Sequence, residues 1–103
     1  MPRHTVKRIE IIIDRPLLHK AIQELKDLGA SRYSVLPAVQ GRGKHHSWDA
    51  DELFGGDQKV VLLALVSIET GEKIITRFEE LLEHFSCVLS AWDVEVVRRD
   101  RFS

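Results

Sequence analysis

Twice along this chain, in the same order, the spacing of apolar positions changes from a period of two to one near 3.6 and back. Residues 6–13 are apolar and mostly β-branched, with Ile9, Ile11 and Ile13 on one face and Arg8, Glu10 and Ile12 on the other, the alternation of a strand. Asp14 then offers a helix cap, Pro16 falls in the first turn, and Gly29 supplies the stop. Between them Leu17, Leu18, Ala21, Ile22, Leu25 and Leu28 form one apolar stripe, with Lys20, Glu24 and Asp27 projecting away from it. Strand signals return over residues 32–39, where Tyr33, Val35 and Val39 share a face. The second half repeats the order. Residues 59–68 read as a strand, and Thr70 and Gly71 open a helix whose stripe is Ile74, Ile75, Phe78, Leu81, Leu82 and Phe85. Lys73, Arg77, Glu79, Glu80 and Glu83 form its outer face. Residues 88–97 make the last strand, with Trp92, Val94 and Val96 facing one way and Asp93 and Glu95 the other.

Strand, helix, strand, repeated, predicts one α+β domain over residues 1–103. It is a ferredoxin-like βαββαβ sandwich, a four-stranded antiparallel sheet with two helices on one face. The expected strand order is 4-1-3-2, with the first and third strands central. Two helices cover only one face, so the other should be polar. The third strand instead reads VVLLALV, apolar on both faces, and Ile12, Leu36, Leu89 and Ala91 add to the uncovered side. A patch of that kind calls for burial by another subunit, and a homotrimer around a central barrel is the expected assembly.

Composition narrows the function classes. With 103 residues there is material for one core, and a net charge of -1 argues against a dedicated nucleic-acid binder. The single cysteine, Cys87, excludes an intrachain disulfide and a multi-thiolate metal site within one chain. With no signal-like apolar stretch after Met1, this points to the cytoplasm. The longest apolar run, residues 60–66, is too short to span a membrane.

The candidate chemistry lies in residues 40–58, QGRGKHHSWDADELFGGDQ, a segment long enough to suggest a functional loop. It opens with Gly41, Gly43 and Lys44, whose backbone freedom and charge suit an anion at the loop base. It precedes no helix and is not a Walker A loop. A second basic cluster, Arg98, Arg99 and Arg101, follows the last strand, and arginine forks match phosphate geometry. Trp48, Leu53 and Phe54 are apolar residues in a polar loop, suited to docking a partner. His45 and His46, near Asp49 and Asp51, are the weaker metal candidates, since neighbours on an extended chain point to opposite sides. No nucleophile–base pair or carboxylate dyad at useful spacing is visible, so no catalytic residue is assigned and enzymatic activity has no positive support.

The duplicated topology, the opening VKRIEIIID, the helix ending in LKDLGAS and the strand leading to VQGRGKHH resemble the PII signal-transduction superfamily over nearly the whole chain. The resemblance implies a trimer with an adenine nucleotide in the cleft between neighbouring subunits, and a long T-loop, here residues 40–58, that docks onto partners such as transporters. Gly41, Gly43 and Lys44 then match phosphate-side contacts, Ser34 with Leu63 to Leu65 the adenine side, and the C-terminal arginines the basic residues that reach phosphates. Two departures matter. Only Ser86 and Cys87 separate Phe85 from Val88, so the family's glycine-rich B-loop is missing, which favours AMP or ADP over ATP. The loop carries no tyrosine, and Ser47 is its only hydroxyl. These traits look like the divergent PII-like branch linked to bicarbonate transport and carboxysomes, whose members respond to adenine nucleotides and, in some cases, bicarbonate. Membrane association is expected only through a transporter partner. The alternatives are a trimeric divalent-cation-binding protein of the cation-tolerance type, and a small-molecule-binding domain that only assembles a larger complex.

Overall fold

The computed structural model describes residues 1–38, 40–42, 47–49, 58–84 and 86–98. Four strands, β1 (Arg3–Asp14), β2 (Ser34–Ala38), β5 (Lys59–Val66) and β6 (Cys87–Val97), form an antiparallel sheet in the order β2-β5-β1-β6. Helices α1 (Leu18–Asp27) and α2 (Ile68–Leu81) connect them. Read from its other edge, the sheet has the expected order, with the first and third major strands central. A short ladder of β3 (Gln40–Arg42) and β4 (Ser47–Asp49) stands apart, inside the segment expected to be one unstructured loop.

The core follows from the alternation of β1. Ile9, Ile11 and Ile13 are fully buried, and register sets Ala64, Leu62 and Val60 of β5 beside them. Ala21 and Leu25 of α1 and Ile74, Phe78 and Leu81 of α2 close over that face. Each such aliphatic contributes about 1.5–3 kcal/mol when taken out of water. Edge strand β2 contains Pro37, paired in register with Val60. A proline is tolerated at a sheet edge and blunts it against stray pairing.

Several expectations need correction. Leu89 and Ala91 pair with Ile11 and Ile9 and pack against the core, so they lie on the helix-covered face. Val88 and Trp92, at 63% and 41% exposure, occupy the open one instead. The first helix does not start at Asp14: residues Arg15–Leu17 form a 3-10 turn containing Pro16, and the Asp14 carboxylate caps nothing. It pairs instead with the Lys59 ammonium directly opposite in register, a charge-assisted bond stronger than a neutral cap. The strand expected to reach residue 68 stops at Val66, because the Ser67 hydroxyl accepts the Thr70 N–H at 3.1 Å and caps α2 two residues earlier than anticipated. Leu82 is exposed beyond the helix end rather than part of its stripe, and Phe85 lies outside the described residues.

The stop at Gly29 is as expected, and its geometry is specific. Gly29 has φ +96°, its N–H donates to the Lys26 carbonyl at 3.0 Å, and the Ala30 N–H donates to the Leu25 carbonyl at 2.8 Å. This is a Schellman cap, with Ala30 buried in the same core as Leu25. Among the described residues no helix is long and apolar enough to cross a membrane.

Candidate functional site

The pairing of β2 with β5 builds the site. Ser34 lies opposite Leu63, and strand alternation puts Leu63 and Leu65 on the face the helices leave open. A groove of about 260 Å³ forms there, lined by Arg32, Tyr33, Ser34, Leu63, Leu65 and Arg98. Arg98 is held at the sheet end through its backbone. Its N–H donates to the Pro2 carbonyl at 3.3 Å, and its carbonyl meets the His4 ring at 3.2 Å.

The chemistry of this lining is mixed in a useful way. Leu63 and Leu65 give an apolar floor, Tyr33 adds an aromatic ring, Ser34 a hydroxyl, and Arg32 and Arg98 two guanidinium groups. Such a set accommodates a ligand with one flat, weakly polar part and one anionic part. Ser34, Leu63, Leu65 and Arg98 were each expected at a site, and the fold brings these four together. Gly41 sits elsewhere, in the β3–β4 ladder opposite Trp48. Gly43, Lys44, His45, His46, Leu53, Phe54, Arg99 and Arg101 lie outside the described residues. Arg32 and Tyr33 also line this groove and were not among the expected residues. Tyr33 precedes the first paired residue of β2, so strand alternation does not govern its direction. The available signal was the polar and aromatic run Arg32, Tyr33, Ser34 at the mouth of an edge strand.

The base of the 40–58 segment is tied to the sheet at its return point. The Arg15 N–H donates to the Gln58 carbonyl at 2.9 Å, next to the Asp14–Lys59 pair. At the other end of β1, Lys7 binds Asp93 at 2.7 Å and Glu72 at 3.2 Å, and these hydrogen bonds hold its ammonium pKa above the usual lysine value. Cys87 is a half-buried free thiol whose pKa burial pushes up. Among the described residues no three His, Cys, Asp or Glu side chains cluster as a metal site would require.

Comparison with known proteins agrees with this architecture. The family model of nitrogen regulatory protein P-II matches residues 6–101, and the chain belongs to that family. Among solved structures, a PII-like signaling protein of Thermus thermophilus is similar at TM-score 0.81 and 26% identity, covering 94% of each chain. CPII from Thiomonas intermedia K12, a nitrogen regulatory PII-like protein solved with ADP, AMP and bicarbonate, is similar at TM-score 0.84 and 23% identity, over 94% of this chain and 92% of that one. The ATP complex of GlnK from B. subtilis is more distant, at TM-score 0.56 and 12% identity over 87% and 82%. Curated protein sequences gave no significant match.

Proposed function

We propose that this chain is a PII-like regulator that binds AMP or ADP between the subunits of a homotrimer, with bicarbonate as co-ligand. It then signals inorganic-carbon or nitrogen status through residues 40–58. The observation that carries this reading is the groove at the β2–β5 edge, where Ser34, Leu63, Leu65 and Arg98 meet Arg32 and Tyr33. Membership of the P-II family and the ligands of CPII support it.

In this reading Leu63 and Leu65 take the adenine face and Ser34 hydrogen-bonds its edge. Arg98, Arg99, Arg101 and Lys44 carry the phosphates, with the amides of Gly41 and Gly43 closing on them. Bicarbonate fills the space near Gly41 and Lys44 that a longer phosphate chain would need, and so favours the shorter nucleotides. By linkage, each ligand then raises affinity for the other. The ligand shifts the loop only through contacts that differ between loop states. Those contacts present or withdraw Trp48, Leu53 and Phe54 toward a partner such as a bicarbonate transporter or carboxysome protein.

Calorimetry with AMP, ADP and ATP, each with and without bicarbonate, tests the reading. Binding of AMP or ADP strengthened by bicarbonate is expected, and Arg98→Ala should weaken it about tenfold through loss of a charge-assisted hydrogen bond. Absence of nucleotide binding under every condition overturns it. Copper and zinc are titrated alongside, and tight binding of either would point to the cation-tolerance alternative.

A further inference from the structure

The open sheet face carries opposite charges at its middle as well as in the Asp14–Lys59 pair at its end. Register sets Arg8 between Leu65 of β5 and Trp92 of β6, and Glu10 between Leu63 and Ser90. Between the strand ends these two are the only charged residues of that face among the described residues. The Arg8 guanidinium lies over the Trp92 ring, 5.1 Å from its centroid. Its Nη2 comes no closer to Glu10 than 3.9 Å, beyond hydrogen-bond distance. Its Nε is shielded from solvent and has no hydrogen-bond partner. A guanidinium left in this state is costly once its surroundings dry out, because each unmet N–H loses its water. Around the pair stand Leu36, Val88 and Trp92, all substantially exposed.

Arg8 and Glu10 form only a loose 3.9 Å ion pair with each other, so a surface that covers this apolar frame and offers a carboxylate to Arg8 and a cation to Glu10 fits it best. A second copy of this chain brings both. Resting on the reading that copies associate through this face, we propose that Arg8 of one copy pairs with Glu10 of its neighbour, fixing the register in which the copies meet. Around a closed ring every interface is equivalent, so each copy gives one such pair and receives one. The pair sets which copies fit and how they align, while the surrounding leucines, valines and tryptophan supply the burial.

Sedimentation velocity on the wild type, Arg8→Glu, Glu10→Arg and the exchanged double variant R8E/E10R tests this, with circular dichroism as the check on folding. Each single reversal should weaken assembly by about tenfold or more, since it sets like charges against each other. The exchange should restore assembly to near the wild-type level. Should a reversal fail to fold, Arg8→Gln and Glu10→Gln carry the test, with weaker assembly that no longer responds to salt. An oligomeric wild type whose reversals assemble equally well, or an exchange that restores nothing, overturns the pairing and leaves self-association standing. A monomeric wild type overturns both.

Discussion

At Gly71 the first turn of α2 passes over β1 with no room for a side chain. A Cβ there would stand 2.5 Å from Cγ of Lys7 and 2.6 Å from its Cβ. Lys7 cannot swing aside cheaply, because Asp93 and Glu72 hold its ammonium. Gly→Ala inside a helix ordinarily gains up to about 1 kcal/mol, but overpacking of this kind costs roughly 1–3 kcal/mol. The clash decides the sign. Gly71→Ala should lower the melting temperature by several degrees, and Lys7→Ala should not rescue it, since the lysine Cβ remains. The sequence shows Gly71 only as a residue near a helix start; its reason is a contact with a strand far away in the chain. Cys87 offers a second check. Burial raises its pKa, so less of it is thiolate at neutral pH. Its alkylation by iodoacetamide at pH 7 should be slow in the folded protein and should reach the rate of an ordinary cysteine thiol in urea.

Between elements, the two helices are joined by one arginine. Arg77 of α2 donates from Nε and Nη2 to the two carboxylate oxygens of Glu24 on α1, at 2.9 and 3.1 Å, and from Nη1 to Glu80 at 2.9 Å. The hydrogen bonds from Arg77 hold the Glu24 pKa below the usual carboxylate value, outweighing partial burial. A depressed acid stabilises the fold above its unfolded pKa and loses that contribution as pH falls through the folded one. Arg77→Gln should therefore narrow the difference in urea midpoint between pH 7 and pH 3, with most of its cost appearing at pH 7. Glu24 does project from the apolar stripe as its spacing implies, yet it faces a neighbouring helix instead of water. Periodicity gives the face of a residue and not what stands opposite. The same limit explains Leu89 and Ala91. Residues 88–97 are apolar at both parities, so alternation alone could not say which set faces the helices; pairing with Ile11 and Ile9 decides it. The β3–β4 ladder was illegible for a related reason, since its partners have no apolar alternation to mark them.

For the whole molecule, the proposed assembly and the proposed ligand site would share one strand. The apolar doubling of β5 was legible in VVLLALV, and four residues singled out from the sequence, Ser34, Leu63, Leu65 and Arg98, do line one groove. That Arg32 and Tyr33 join them depends on how the chain enters β2, which no periodicity encodes. Leu63 and Leu65 line the groove and also lie on the open face that self-association would cover. Leu63→Glu should therefore lose assembly and nucleotide binding together, because a carboxylate sealed into that interface stands opposite Glu10 in register and has no cation there to offset its desolvation. Ser34→Ala touches the groove's edge alone, and should weaken nucleotide binding while sedimentation remains unchanged. Calorimetry and sedimentation on both variants separate the possibilities. If Leu63→Glu is monomeric but binds ADP as the wild type does, the site belongs to a single chain and the intersubunit cleft is wrong. If it assembles normally yet fails to bind, the leucine serves the ligand and the covered face lies elsewhere on the sheet. Joint loss, with circular dichroism unchanged, is the outcome that a nucleotide held between copies of this sheet requires.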